Sequence, residues 1–468
     1  MSSLPVVAIV GRPNVGKSTL FNALTRTRDA LVADTPGVTR DRIYGRAVID
    51  GRPVILIDTG GLDEAAGQVE IGAQVQTRQA MKEADVLVFI TDGRAGVLPA
   101  EHQIASELRS LDRPVVHVVN KTDGIDRDMA VAEASELGMG EVCAIAASHR
   151  HGLGNLERVL STHLPTDEVA EELPEDGIRL ALIGRPNAGK STLLNRLLGE
   201  ERALATPVPG TTRDPIHATV ERDGVTYHLV DTAGIRRRRG SHEGIERFST
   251  IKALQSVEKA RIVCLVCDSI EGITEQDARL AGHVIEAGRG LVIVVNKWDA
   301  IDADARHKVL VEVAERLDFA RFAPVVTLSA LHGSGLGELT DAIEHINEVG
   351  MSELSTSALT RALRKAVEAH PPPSTRQLAP KLRYAHSGGH FPTRVVIHGS
   401  RTEHVADQYR RYLVNTFRKH FDLTGVPVWL VFRESKNPYA GRTNKLSPRQ
   451  VQKRRRLKKF VRRKQRKR

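Results

Sequence analysis

An eight-residue block, Gly11-Arg12-Pro13-Asn14-Val15-Gly16-Lys17-Ser18, returns as Gly184-Arg185-Pro186-Asn187-Ala188-Gly189-Lys190-Ser191. Three further blocks return in the same order. Pro36-Gly37-Val38-Thr39-Arg40-Asp41 becomes Pro209-Gly210-Thr211-Thr212-Arg213-Asp214, and Asp58-Thr59-Gly60-Gly61 becomes Asp231-Thr232-Ala233-Gly234. Asn120-Lys121-Thr122-Asp123 becomes Asn296-Lys297-Trp298-Asp299. The first three displacements are 173 residues and the last is 176, so three residues were added between the third and fourth blocks. This period is far longer than a solenoid repeat. Ordered recurrence of four blocks means a duplicated domain, and a chain of 468 residues has room for a third unit.

Within each half, short Val/Ile-rich runs alternate with longer helical patterns, as a mostly parallel, doubly wound sheet requires. Strands are expected at Val6–Val10, Val54–Ile57, Val86–Thr91 and Val115–Asn120, with counterparts in the second half. Between the halves, Asp167–Asp176 carries six acids and no base, a self-repelling linker. After about residue 350 the pattern becomes a small α-β-β-α-β unit. Its helices are expected around Leu359–Val367 and Val405–Phe417, its strands at Leu382–His386, Arg394–His398 and Val426–Phe432.

The net charge of +11 is unevenly spread. Arg449–Arg468 holds 13 Lys/Arg and no acid, which leaves 55 bases against 57 acids in the rest of the chain. Such a run cannot build a core, but it can neutralise phosphates. No apolar stretch approaches the roughly 18 residues of a membrane span, and no signal peptide is evident, so a cytoplasmic location is expected. Cys143, Cys264 and Cys267 are too few for a disulfide framework. Cys264 and Cys267 form a CxxC inside a strand-like run, where residues three apart point to opposite faces. With no second pair to complete a zinc site, they read as core residues.

The block Gly11–Ser18 follows an apolar strand and has the form GxxxxGK[ST], a phosphate-binding loop. Its glycines let backbone N–H groups converge on phosphates, and the following helix adds its positive N-terminus. Lys17 and Lys190 would reach the β- and γ-phosphates, while Ser18 and Ser191 would ligate Mg²⁺. Asp58 and Asp231 close apolar strands, placing a carboxylate near the Mg²⁺ shell. Gly61 and Gly234 then offer amides to the γ-phosphate. Thr39 and Thr212 each lie 28 residues after the first loop glycine, where a hydroxyl on a loop could sense phosphate-bound Mg²⁺. Asn-Lys-x-Asp selects the base. Asp123 or Asp299 can accept from guanine N1–H and its amino group, which adenine lacks, and an unpaired buried carboxylate is costly. The Lys121 and Lys297 stems can cover the base plane.

Two GTPase motif sets, an acidic linker, a small C-terminal unit and a basic end resemble the Der (EngA) family of bacterial ribosome-assembly GTPases over essentially the whole chain. The resemblance implies a first GTPase domain over residues 1–166, a linker over 167–178, a second GTPase domain over 179–350, a KH-like α+β domain over 351–440 and a tail over 441–468. It implies GTP hydrolysis by a monomer whose partners are the large (50S) ribosomal subunit and its rRNA. Asn14 and Asn187 match a residue that resembles a potassium ligand in cation-activated relatives, which implies K⁺ as activator beside Mg²⁺; fixing the loop by backbone hydrogen bonds is the structural alternative. Thr59, Gly60 and Leu62, with Thr232, Ala233 and Ile235, complete the nucleotide motifs. The water-positioning glutamine of many GTPases is replaced by Leu62 and Ile235, so slow intrinsic hydrolysis is expected.

Three departures stand out. Ser329-Ala330 matches the pair near the guanine O6, but the first half has Ala146-Ala147, where modest loss of loop rigidity is expected. The C-terminal unit has no GxxG loop, which leaves two roles open: RNA contact or docking on the GTPase domains. Arg236-Arg237-Arg238-Arg239 follows the second Asp block and reads either as a solvated loop or as a nucleotide-switched contact with RNA or another domain; Asp63 and Glu64 stand there in the first half, so the two switches should address different surfaces. An RNA-modification enzyme and a passive RNA-binding scaffold are the alternative functions. The first would need a pocket or nucleophile outside the GTPase domains, and two intact motif sets argue against the second.

Overall fold

A computed structural model of the chain describes residues 4–25, 44–60, 78, 80–165, 176–199, 217–230, 250–373 and 379–434. β1 (Val6–Val10) is buried along its whole length, as an apolar strand is when helices cover both faces of a parallel sheet. It leads through the phosphate-loop block into α1 (Lys17–Thr25). β2 (Tyr44–Ile49) and β3 (Arg52–Asp58) form an antiparallel hairpin. Its turn residues Asp50 and Gly51 have φ of 49° and 81°, the left-handed pair that a tight hairpin turn demands. Next come β4 (Val86–Asp92), α2 (Pro99–Arg109), β5 (Val115–Asn120), α3 (Arg127–Ser135), β6 (Val142–Ala144) and α4 (Leu153–His163). The sheet order is β2-β3-β1-β4-β5-β6, with only β2 antiparallel.

The second half repeats this plan. Its elements are β7 (Ile178–Ile183), α5 (Lys190–Gly199), β8 (His217–Arg222), β9 (Val225–Val230), α6 (Thr250–Lys259) and β10 (Ile262–Asp268). Then follow α7 (Glu275–Glu286), β11 (Gly290–Asn296), α8 (Ala303–Arg316), β12 (Val325–Thr327) and α9 (Leu336–Met351). The order β8-β9-β7-β10-β11-β12 matches the first sheet strand for strand. β1 and β7 each lie where the chain reverses its direction of winding. The loops leaving their carboxyl ends therefore open into the crevice where such sheets bind ligands.

Cys264 and Cys267 in β10 are fully buried and belong to different core layers. One packs with Leu193 and Leu339, the other with Val257 and Leu280. This is the two-faced arrangement that their spacing predicts.

The C-terminal elements are α10 (Thr356–Ala369), β13 (Lys381–Gly389), β14 (Thr393–Ser400), α11 (Asp407–His420) and β15 (Val428–Glu434), in the expected α-β-β-α-β order. Leu359, Leu363, Leu413 and Phe417 from the helices cover one face of the sheet through Val395, Ile397 and Leu430. This unit docks on the second sheet domain. Leu291 N donates to Gly425 O at 2.9 Å, and Gly425 N donates to Phe322 O at 2.7 Å. Phe391 packs so closely on Gly350 that a Cβ there would enter its ring. Helix α6 makes a second junction: Ile251 and Leu254 enter the first domain's cluster with Val6, Ile55 and Leu87. Glu258 joins it by meeting Arg46 at 3.5 Å and Arg289 at 3.4 Å. Among the described residues, no helix is long and apolar enough to cross a membrane.

Candidate nucleotide-binding sites

The first site is built where β1 ends. Asn14 and Gly16 have φ of 65° and 102°, and Asn187 and Gly189 repeat this with 60° and 91°. These left-handed turns curl the loop so that successive amides face inward. A Cβ on Gly16 or Gly189 would collide with the side-chain amide of Asn120 or Asn296. Glycine is thus required there both by conformation and by close approach. Lys17 is buried, and its Nζ donates to the carbonyls of Gly11 at 2.8 Å and Arg12 at 3.0 Å. Lys190 Nζ likewise donates to Arg185 O at 2.6 Å. Each ammonium is therefore held across its own loop. Pro13 and Ser18 are exposed, Val15 and Ala188 buried, and Pro186 and Ser191 half-buried.

Asp58, at the end of β3, accepts from Gly60 N at 2.9 Å, while Thr59 Oγ1 donates to Ile9 O at 2.7 Å. Gly60 lies against the Lys17 stem. The carboxylate, the loop lysine and the Gly60 amide are brought together at the end of two adjacent strands.

The asparagines of the Asn-Lys-x-Asp blocks join three motifs. Asn120 Nδ2 donates to Val15 O at 2.9 Å, and its Oδ1 accepts from Ala147 N at 3.0 Å. Asn296 does the same with Ala188 O at 2.8 Å and Ala330 N at 2.9 Å. One buried amide thus clamps the phosphate loop to the base-binding loops in each domain. Lys121 and Lys297 adopt φ of 62° and 63°. Lys121 Nζ bridges Asn14 O and Asp92 Oδ2, both at 2.7 Å, and Lys297 Nζ reaches Asp268 Oδ2 at 2.5 Å. Burial alone would raise the Asp92 carboxyl. The hydrogen bonds from Lys121 and the Arg94 amide outweigh it and hold the group below the usual range.

The carboxylates expected to select the base, Asp123 and Asp299, differ in support. Asp299 is held below the usual carboxyl range chiefly by a hydrogen bond from Ser329, against the opposing effect of desolvation. His332 lies 3.4 Å from it. The first half has Ala146 where the second has Ser329, and there Arg94 Nη2 pairs directly with Asp123 Oδ2. Arg94 also donates to Asp123 O at 3.1 Å. The hydroxyl missing from the first domain is matched by a guanidinium. Thr122 donates to Ile145 O at 2.9 Å, and Trp298 stacks under Arg306, whose guanidinium lies 5.5 Å from the ring centroid.

Two residues that sequence reasoning passed over anchor the loops. Glu101 is fully buried; it accepts from Arg12 Nε at 2.9 Å and from Leu98 N at 2.7 Å. Asp277, equally buried, accepts from Arg185 Nε at 2.9 Å and from Thr274 N at 2.9 Å. Each acid ties the loop arginine to the N-terminus of the helix after β4 or β10. The signal was in the repeat: Glu101 and Asp277 are separated by 176 residues, the offset of the fourth block.

Thr39, Gly61, Leu62, Asp63, Glu64, Thr212, Asp231, Thr232, Ala233, Gly234, Ile235, the Arg236–Arg239 run, residues 166–175 and the basic tail lie outside the described residues. Mg²⁺ takes hard oxygen ligands, commonly one or two carboxylates with substrate phosphates. Ser18 on the first turn of α1 and Asp58 on the adjacent strand supply such oxygens and fit the ion. Among the described residues no group of three or more His, Cys, Asp or Glu could hold a metal alone. All three thiols are buried and raised by burial, which removes them as nucleophiles for an RNA-modifying reaction.

Comparison with known proteins finds two family models along the chain. A family described as 50S ribosome-binding GTPase matches residues 6–121 and again 179–297. The KH-domain-like C-terminal family of EngA bacterial GTPases matches residues 353–433. The chain is 49% identical to GTPase Der of Shigella flexneri serotype 5b over 98% of its own length and 99% of that protein. It is 50% identical to GTPase Der of Thioalkalivibrio sulfidiphilus, over 97% and 98%. Among solved structures, Aquifex aeolicus Era is 20% identical and covers 55% of this chain and 93% of its own, with a TM-score of 0.28.

Proposed function

The chain belongs to the Der (EngA) family and is a GTPase, and from that premise we propose that it is a nucleotide-governed switch on pre-ribosomal particles, acting late in maturation of the large (50S) subunit. The observation that carries this reading is the intact three-way clamp at both sites: Asn120 and Asn296 each join phosphate loop and base loops in one geometry. A passive scaffold has no need to keep two.

In this reading Lys17 and Lys190 turn from their loop carbonyls to the β- and γ-phosphates. Ser18 and Ser191, with Thr39 and Thr212, hold Mg²⁺, which neutralises phosphate charge when bound. Asp58 and Asp231 support its shell, and the amides of Gly61 and Gly234 meet the γ-phosphate. Asp123 and Asp299 select guanine. Asn14 and Asn187 would hold K⁺, a cation that would offset phosphate charge as an arginine finger does. The work is done in the cytoplasm on rRNA-bearing particles, by a monomer divided at the boundaries expected from sequence.

Depletion of the protein tests the assignment. Large-subunit precursors should accumulate on sucrose gradients, and a chain carrying Lys17→Ala and Lys190→Ala should not restore mature 50S particles. Normal 50S maturation in depleted cells would refute it. Separately, turnover should rise when K⁺ replaces Na⁺, and Asn14→Ala or Asn187→Ala should blunt that response. Equal turnover in the two salts would remove the potassium role.

A further inference from the structure

The helices α10 and α11 cover one face of the C-terminal sheet, and the opposite face carries an unusual set of side chains. Register places Tyr384 opposite His398, His398 opposite Arg433, and Arg394 opposite Trp429. With His386, these six project from the side away from the helices. The Tyr384 and His398 rings stack, with centroids 4.5 Å apart and planes 5° from parallel. His386 Nε2 lies 3.2 Å from His398 Nε2, so one ring donates and the other accepts. The Arg394 guanidinium sits 5.7 Å from the Trp429 ring centroid. Glu434, the one acid in the three strands, falls on the helix side of the alternation and accepts from Arg401 N at 2.7 Å. Docking on the second GTPase domain uses Phe391 and Gly425 at one end of the unit. Among the described residues no helix is packed across this face as α10 and α11 are across the other.

We infer that this sheet face is a single-stranded RNA platform, on which bases stack against Tyr384, His398 and Trp429 while Arg394 and Arg433 take the phosphates. The chemistry points one way. Aromatic rings alone would suit an apolar protein surface. Rings interleaved with cations, with no carboxylate among the strand residues on this side, suit an anionic polymer whose units have flat faces. Arg394 and His398 are four residues apart on β14, so the platform extends about 13 Å along the strand, room for a few bases. It replaces the missing GxxG loop by a different surface. The inference rests on the reading that the partner is RNA-bearing, yet naked RNA can test it apart from ribosome maturation.

The test uses the full chain and a single-stranded oligoribonucleotide of about ten nucleotides and mixed sequence. Tyr384 and Arg394 are exposed, so Tyr384→Ala with Arg394→Ala removes little packing. The double variant should bind the oligonucleotide at least tenfold more weakly at fixed salt, with GTP turnover unchanged. Tyr384→Phe, which keeps the ring, should bind as the unaltered chain does. Ultraviolet cross-links should map to peptides containing Lys381–Ser400 or Val428–Glu434. Unchanged affinity in the double variant, with cross-links confined elsewhere, would overturn the platform. So would unchanged RNA affinity accompanied by altered hydrogen exchange in the GTPase domains, which would mark the face as a protein-docking surface.

Discussion

At the scale of single residues, the two carboxylates proposed to select guanine are held by different supports. Ser329 is almost fully buried, at 1% exposure, and its hydroxyl holds Asp299. Arg94 and Asp123 are 54% and 29% exposed, so water screens their pair. The Ser329 hydroxyl donates to a charged carboxylate from a position shielded from water, whereas an exposed ion pair such as Arg94–Asp123 contributes little. Ser329→Ala should therefore weaken GTP binding at the second site more than Arg94→Ala weakens it at the first. Titrating each variant with the other site made selective for xanthine by Asp299→Asn or Asp123→Asn isolates the two effects. The opposite ranking would mean that Arg94 binds nucleotide directly. Arg94 was not legible in the sequence, because no motif joins a residue after β4 to a carboxylate 29 positions on.

At the scale of elements, the central strands were legible because they are buried on both faces and read as unbroken apolar runs. β1 and β5 fall on their expected spans, β3 extends its span by two residues at the start and one at the end, and β4 by one at the end. The edge strands β2 and β6 were missed. Tyr44–Ile49 alternates buried with partly exposed residues and includes Gly45 and Arg46, so its signal is carried by pairing with β3. The Asp50-Gly51 turn, repeated at Asp223-Gly224, was the available clue. Strand β5 also holds a titrating core residue. His117 is fully buried, stacks on Phe89, lies 3.2 Å from Thr91 Oγ1, and has no partner for Nδ1 among the described residues. Burial pushes it down to about 4. Between that value and the unfolded value near 6.5 the unfolded chain binds the extra proton. The stabilisation is thus complete above pH 6.5 and is lost as pH falls towards 4, up to about 3 kcal/mol. His117→Ile, which installs the residue found at Ile293 in the duplicate strand, should flatten this dependence of first-domain unfolding. An unchanged slope between pH 6.5 and 4 would assign it to other groups.

At the scale of the whole molecule, duplication made the architecture legible, since each half corroborates the other. The junctions were not. Leu254 entering the first domain's core and Gly425 bonding to the second depend on surfaces that no local pattern encodes. The basic end can be judged from its charge alone. Deleting Arg449–Arg468 should leave basal GTP hydrolysis nearly unchanged and weaken binding to ribosomal particles. It should also flatten the log–log salt dependence by several units, as each engaged phosphate contributes about 0.7–0.9. An unchanged slope would move the phosphate contacts to the folded domains. The account's central claim is that one chain holds two independent, guanine-selective sites, and nucleotide stoichiometry tests it most directly. Calorimetric titration should give two GTP per chain. With Asp123→Asn it should give one GTP and one xanthosine triphosphate, and with both aspartates replaced, no tight GTP at all. A single GTP per unaltered chain, or two GTP still bound by the double variant, would contradict the account.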